Sequence, residues 1–552
     1  MKRPLVAFAV ATGLLVALSG PALAAGVVNP VTNATSDPYS GCTVGQGTGR
    51  NYLNSEVEPY GAVNPTDTAN VIAVWQQDRW SNGGAHGLAA GVTKNGGSIW
   101  TVGSLPFSQC AAGTPTELQY ERASDPWVSF GPGTPGDHNA GATAYAVSLS
   151  FNQSPGKNGN TVGAAVSYDG GTTWVNAQSL HSDSQTGVPV PVLDSNFQFF
   201  HDKESVTADP DPKHAGTAYV VWDVLIGPNM SVEADLHAAA FHDKTLFSKT
   251  TDFGVTWSPV RVINDNVNKS TNQNNQTIGN VIVVDPTTGT LYDFFNQIYN
   301  TGSNAGGNPS GAHGYNVAFQ KSTDGGDTWR APQLIASLLT AGVSDPNNVN
   351  PTTNKPPAPI RTGDILPEPA IDPATGDLYV VWQDARFSGH DEIVISASND
   401  GGSHWSSPKR VNSPTGNQAF TANVAVSDSG STVAVSYYQF GTTSLGSEPT
   451  TYLIKKFPAS AVTSTNPHSI DTGATATPVG DTFNMLDAPY AGGYFVGDYE
   501  ALLAVGSGFN PVFVQGTCGT TLSCSALTSV TPPADRTPTK KNSTDVFEGS
   551  GF

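Results

Sequence analysis

The chain has 552 residues, with 25 Lys and Arg against 45 Asp and Glu and a formal net charge of −20. Such an excess of negative charge argues against nucleic acid and anionic membrane surfaces as partners, and an anionic substrate would need local arginines to overcome the global field. Glycine (59) and proline (40) are abundant and charged residues make up only 13%, which predicts an all-β chain of many short strands and long loops.

Lys2 and Arg3, an apolar run from Leu5 to Leu18, and Ala22-Leu23-Ala24 have the form of a signal peptide with its cleavage site. A mature chain starting at Ala25 and exported to the periplasm or beyond is expected. No later run reaches the roughly 18 apolar residues of a membrane helix, so no anchor is expected. Four cysteines in an exported chain favour disulfides over metal ligation. Cys518–Cys524 is the local pairing, which leaves Cys42–Cys110, one of three formal arrangements.

From residue 54 onward the chain repeats a unit of two β-rich runs, a third run and a tight corner, followed by a fourth strand. In chain order the runs are Glu56–Asn64, Asn70–Gln76 and His86–Thr93; Asp125–Phe130, Ala144–Phe151 and Thr161–Ser167; Glu204–Ala208, Ala218–Trp222 and Ala238–Phe247. Then come Gly279–Val284, Leu291–Phe295 and Tyr315–Lys321, and Pro369–Ile371, Leu378–Trp382 and Glu392–Ser398. Each of these five units ends in a corner of the pattern Ser/Thr-x-Asp-x-Gly-x-Thr-Trp. The clearest is Ser322-Thr323-Asp324-Gly325-Gly326-Asp327-Thr328-Trp329; the others lie at 167–174, 250–257 and 398–405, with a worn copy, Thr93-Lys94-Asn95-Gly96-Gly97-Ser98-Ile99-Trp100, before them.

Each part of the corner has a physical task. The Asp accepts backbone N–H bonds, the Gly takes φ > 0 without strain, and the Trp buries its ring while its N–H is expected to keep a polar partner. Successive corner tryptophans fall 74, 83, 72 and 76 residues apart. That is longer than the roughly 40 to 50 residues of compact propeller repeats, so the surplus must lie in loops. The bland reading of all five corners is architectural, with no contact to substrate.

Beyond Val411 the corners stop but paired strands continue. Phe420–Val426 with Thr432–Tyr438 and Thr451–Phe457 makes a sixth unit, and Glu500–Val505 with Pro511–Val514 and Asp545–Phe547 a seventh, its fourth strand lent by residues 26–35. Thr340–Pro359 and Ser525–Ser543 are too poor in apolar residues to order themselves. The expected layout is 1–24 signal peptide, 25–53 closing segment, 54–530 repeated β domain and 531–552 tail with a last strand.

The repeated corner resembles the Asp box of the bacterial sialidase (neuraminidase) superfamily, also called the BNR repeat, across Thr93–Trp405. The resemblance implies a β-propeller of four-stranded blades with the box between the third and fourth strands. Seven blades are favoured here and six, the sialidase number, is the alternative.

In a four-stranded blade the corner and the 1–2 turn share one side of the ring, and the 2–3 loop and the entry into strand 1 share the other. The strand-2 exits offer Trp75-Gln76-Gln77-Asp78-Arg79-Trp80, Trp222-Asp223 and Trp382-Gln383-Asp384-Ala385-Arg386-Phe387. The strand-1 entries offer Glu56 and Glu58, Arg122 and Asp125, Asp202-Lys203-Glu204, Gln276, Arg361 and Asp364 with Glu368, and Asp498-Tyr499. Carboxylates, arginines and aromatics converging on one mouth suit a glycan or glycoconjugate, whose faces stack on aromatic rings and whose hydroxyls pair with carboxylates.

Sialidases use an arginine triad, a tyrosine nucleophile with a glutamate, and an aspartate acid/base. The resemblance thus implies Arg79, Arg361 and Arg386 as a clamp with Trp80 beside them, Tyr499 and Glu204 as nucleophile and partner, and Asp125 or Asp391 as the acid/base. The chain departs from the family in its first-blade entry, Ser55-Glu56-Val57-Glu58-Pro59, which lacks the usual arginine. A neutral polysaccharide cut by two carboxyls such as Asp125 and Glu204, and a propeller that binds without catalysis, are the competing readings. For the Asp-x-Arg elements the plain alternative is an ion pair inside the loop, and for Glu204 and Tyr499 it is hydrogen bonding between blades. Ca²⁺ would suit the acidic entries chemically, but no Asp-x-Asp-x-Asp-Gly loop is present, so no metal or other cofactor is assigned. No His-Glu-x-x-His, Gly-x-Ser-x-Gly or Gly-x-x-x-x-Gly-Lys occurs, and His237 and His242 are expected to pack rather than ligate. A monomer is expected.

Overall fold

The structure is a computed structural model that describes residues 26–33, 35–154, 157, 159–182, 197–228, 242–268, 273–300, 313–347, 359–444, 447–466, 468–470, 475–517 and 543–552. The described residues are all-β, with one short helix among them, Ala459–Thr463, and a few 3₁₀ turns. The leader, Cys518, Cys524, His237 and the side chain of His242 lie outside the described residues. No described helix is long and apolar enough to cross a membrane.

Strands that follow one another in sequence pair antiparallel into sets of four, as hairpin connections favour. Seven such sets are present among the described residues; five are separate sheets, and the first two are joined by the single pairing of Ala85 with Ala123. Their first strands are Glu56–Val63, Arg122–Thr134, Phe197–Ala208, Gln276–Val284, Glu368–Ile371, Ala419–Val426 and Ala501–Val505. Each first strand touches the first strand of the next set, and that of the seventh touches that of the first. The seventh set is completed by Gly508–Gly516, Thr544–Ser550 and, as its outer member, Val27–Pro30 from the other end of the chain. Cys42 and Cys110 form a disulfide with their Cα atoms 5.8 Å apart.

The core follows from the period of two along a strand, which sends alternate side chains to opposite faces. In the third set Val220 and Trp222 pack against Val147 and Val166 of the second, while Tyr219 and Val221 pack against Ile282 and Leu291 of the fourth. Apolar clusters fill the other junctions in the same way, and the last one joins the sixth and seventh sets to Ala73 and Trp75 of the first. Both faces of each set are therefore covered, which is why the strands read as near-continuous apolar runs.

All five corners close alike. The third residue accepts the backbone N–H of the seventh, at 2.9 Å for Asn95, Asp169, Asp252 and Asp400 and 2.8 Å for Asp324. The first residue's hydroxyl accepts the N–H of the fifth at 2.8–3.1 Å. The fifth residue must be glycine: Gly326 has φ +83°, and a Cβ there would lie 2.5 Å from the Phe247 ring of the preceding set. Lysines then clasp neighbouring sets together, Lys94 onto the Asp169 carbonyl, Lys249 onto Gly325 and Lys321 onto Gly401. One expectation fails. Trp329 donates its indole N–H to Gly326, whereas those of Trp100, Trp257 and Trp405 have no partner among the described residues. Ring contact takes precedence there, as where Trp405 stands edge-on to Phe294 with centroids 5.9 Å apart.

Residues 340–347 also depart from expectation, since they are ordered against the sets. Val343 and Asp345 are buried, Ala341 N–H donates to Asp391, and Ser344 pairs with Pro359. A single valine and hydrogen bonds supplied by another segment hold the stretch, which composition alone does not reveal. Residues 348–358 are outside the described set.

Candidate functional site

Five of the first strands carry a bulge at the same place. The register shifts between Val57 and Tyr60, Ser124 and Trp127, Asp202 and Ser205, Ile278 and Val281, and Phe420 and Asn423. Each bulge holds one residue in the left-handed region: Glu58 (φ +53°), Asp125 (+52°), Lys203 (+52°), Gly279 (+73°) and Thr421 (+49°). Bulges re-aim side chains, and non-glycine residues at positive φ carry strain of about 1–3 kcal/mol each. Here three charged side chains from three sets are gathered at one point.

Lys203 is the centre of that point. Its Nζ lies 2.9 Å from Asp125 Oδ2, 2.9 Å from Asp498 Oδ2 and 3.6 Å from Glu58 Oε1, all nearly shut off from solvent. Burial works against the ammonium, but the carboxylates outweigh it and hold its pKa well above the ordinary value. Burial pushes the Glu58 carboxyl up to about 7 in spite of Lys203. Glu58 accepts from Gln76 Nε2 and, at 3.3 Å, from Asp498 N–H.

Arg361 extends the cluster. Its Nη2 and Nε lie 2.9 and 3.4 Å from the two oxygens of Asp498, and Nη1 lies 3.4 Å from the Ala491 carbonyl. It is placed by a two-residue parallel ladder in which Ile360 pairs with Tyr494 and Arg361 with Phe495. The segment fits because of Gly363, where a Cβ would meet the Asp498 carbonyl oxygen at 2.0 Å. The Phe495 ring carries two guanidinium groups, Arg361 at 4.4 Å and Arg79 at 4.9 Å from its centroid. Arg79 is buried and donates to Gln76 Oε1 at 2.6 Å; burial, then Arg361, pushes it down to about 10.

Beside these groups opens a cavity of about 300 Å³, lined by Lys203, Ile278, Tyr315, Arg361, Asp364 and Asp498 among others. Burial, then Asp391 and more weakly Asp498, pushes the Asp364 carboxyl up to about 6. The Thr340 hydroxyl sits between Asp364 and Asp391, 3.1 and 2.8 Å away. The lining thus includes a carboxyl pushed up to about 6, that of Asp364, and a carboxylate paired with two cations, that of Asp498. A cavity of about 400 Å³ between the first two corners, lined by Lys94, Ile99, Thr172 and Trp174 among others, has no carboxylate in its wall. Among the described residues no group of three or more His, Cys, Asp or Glu is arranged to hold a metal.

The sequence-derived candidates separate into two groups. Asp125, Arg79 and Arg361 belong to the cluster. Tyr499 and Glu204 lie next to it but are buried: the Tyr499 O–H donates to the Pro126 carbonyl at 3.1 Å, and its ring packs edge-on to Trp127. Neither Glu204 carboxyl oxygen has a hydrogen-bond partner among the described residues, and burial followed by Asp125 raises its pKa well above the ordinary value. Arg386 is engaged elsewhere, pairing with both oxygens of Asp384 at 2.8 and 2.7 Å and donating to the Ser337 carbonyl. That is the intra-loop ion pair, with Trp382 Nε1 also donating to Asp384. Trp80 is 1% exposed, with the Arg122 guanidinium 4.6 Å over its ring, so it presents no face to a ligand. Phe495 escaped the sequence reading because nothing local marks it, and Lys203, named among the strand-1 entries, received no role there because it stands between two acids.

No family model matches the sequence, and no curated protein matches it. Among solved structures the chain is similar to an α-L-arabinofuranosidase from Fusarium graminearum in complex with an iminosugar inhibitor, at 13% identity and TM-score 0.42, covering 74% of this chain and 95% of that one. It is similar to a protein of unknown function from Dyadobacter fermentans at 10% identity and TM-score 0.41, covering 91% and 95%. It is also similar to a Hadza microbial sialidase at 13% identity and TM-score 0.40, covering 88% and 73%. Glycoside hydrolases are thus among its structural neighbours.

Proposed function

We propose that the protein is an exported, sialidase-like β-propeller of seven blades that hydrolyses glycosidic bonds at its hub. The cyclic contacts of the seven first strands support the propeller, and the recurrent corners support its relation to Asp-box proteins. Export is supported by the Cys42–Cys110 disulfide, a bond that persists in oxidising compartments.

The observation that carries the activity is the hub cavity with Asp364 and Asp498 on its walls. Asp364, protonated over part of the mildly acid range, hands its proton to the leaving glycosidic oxygen. Asp498, paired with Lys203 and Arg361, stabilises the positive charge that develops on the sugar ring; water then adds to the anomeric carbon and its proton returns to the Asp364 carboxylate. A volume near 300 Å³ suits one terminal glycosyl unit, hence exo action. Asp125 orients Lys203, Arg79 backs Arg361 through Phe495, and Glu204 and Tyr499 support the wall from behind.

The test is release of reducing sugar or chromophore from a panel of glycans and aryl glycosides. Asp364→Asn and Asp498→Asn should abolish release while circular dichroism and thermal melting show a folded protein, and Tyr499→Phe should retain it. Loss in Tyr499→Phe with the fold intact would return the tyrosine to the chemistry. A propeller that binds glycans without turnover is the second reading, favoured by the commitment of the Tyr499 hydroxyl to Pro126; saccharide affinity without any released sugar would establish it.

A further inference from the structure

The two cations that line the cavity are already paired with the protein's own carboxylates. Lys203 has three carboxylates around it, and Arg361 gives Nε and one Nη to Asp498 and its other Nη to the Ala491 carbonyl. Arg79, the remaining cation, is buried behind the Phe495 ring and bonded to Gln76. The carboxyl groups are more numerous: Glu58, Asp125 and Asp498 around Lys203, Asp364 on the cavity wall and Asp391 behind it, joined through Thr340.

We propose that this cavity selects uncharged glycosyl groups and turns away sugars that bear a carboxylate. The inference rests on the reading of the cavity as a glycan site and specifies the substrate that site accepts. A carboxylate entering the cavity would stand beside Asp498, which is buried, and Asp364, which is half-buried, and like charges there repel more strongly than in open water. To reach Arg361 or Lys203 it would have to displace Asp498, which leaves that carboxylate buried and unpaired. The chain's overall charge of −20 acts in the same direction from a distance. A neutral sugar meets none of these costs. Its hydroxyls can donate to Asp364 and Asp498 and pair with Thr362 and Tyr315, while Ile278, Ile365 and Leu366 offer an apolar wall to its C–H face.

The experiment compares matched sugars that differ only at the exocyclic carbon. Binding of methyl glucoside against methyl glucuronide, and of methyl galactoside against methyl galacturonide, is measured at pH 7 by ligand-observed NMR and calorimetry, with a methyl sialoside as a third acid. At least one neutral glycoside is expected to bind at least tenfold more tightly than its uronide, and Asp364→Asn should narrow that ratio by favouring the uronide. Equal or tighter binding of a uronide or the sialoside overturns the selectivity while leaving the glycan site in place. Absence of binding by any sugar, neutral or acidic, overturns the glycan site and the selectivity with it.

Discussion

Lys203 and Asp498, 295 positions apart in the chain, meet in a 2.9 Å ion pair at the point where the first strands converge. The pair ties the third set to the entry of the seventh, and Asp125 and Glu58 bring in the second and first. Four strand entries far apart in the sequence are thereby locked to one ammonium group.

Replacing Lys203 with Met should leave Glu58, Asp125 and Asp498 buried around an apolar side chain. Breaking a buried ion pair by removing one partner costs about 3–5 kcal/mol. The urea midpoint should fall accordingly at pH 7, and the loss should shrink at pH 5 as the carboxylates stranded by the loss of Lys203 take up protons.

The two glycines of the fourth corner should differ in their tolerance of alanine. Both have positive φ, +65° at Gly325 and +83° at Gly326, a strain of about 1–2 kcal/mol for an L-residue. At Gly325 a Cβ meets nothing closer than Lys249 Nζ at 3.8 Å, whereas at Gly326 it meets the Phe247 ring at 2.5 Å. Gly326→Ala should therefore cost about 1–3 kcal/mol more than Gly325→Ala by overpacking, read as separate melting temperatures. Equal losses would show that the corner does not press on the preceding set.

Stability should fall as pH rises from about 5 to 8. The carboxyls of Asp364, Glu58, Glu368 and Asp293 are held at about 6, 7, 8 and 8 by burial, above their values in the unfolded chain. Between the unfolded and folded values the unfolded chain binds fewer protons than the native one, so each rise in pH favours unfolding. The corner carboxylates act oppositely. Burial opposes the Asp169 and Asp252 charges, but bonds from Thr173 and Thr256 outweigh it and lower both, and hydrogen bonds from His404 hold Asp400 at about 2. Their contribution is present above the unfolded value and lost as pH falls through the folded one. A maximum in melting temperature near pH 5, rather than above pH 7, is the expected outcome.

Trp80 should behave as a core residue. Trp80→Ala should lower stability by about 3–5 kcal/mol, since it empties a fully buried site and removes the ring under Arg122. Affinity for any glycan that still binds the folded variant should not change.

The all-β class, the hairpin corners and the positions of most strands were legible in the amino-acid sequence, because each depends on contacts within about ten residues. An Asp that caps the N–H four positions on, a glycine at positive φ and an alternation of two are local physics. The same locality gave the intra-loop pair of Asp384 and Arg386, two residues apart.

Which of the strand-entry and strand-exit residues meet at the hub, and on what, was decided by tertiary structure. Arg79 and Arg361 meet on Phe495, and Asp364 shares a cavity with Asp498, only because separate sets converge. Burial decided the rest: it turned Trp80 from a platform into core, enclosed Tyr499 and Glu204, and raised Asp364 toward neutrality. A sequence lists which residues can carry charge or stack on a sugar. Desolvation and distance, which determine whether they do, arise only when strands hundreds of residues apart pack together.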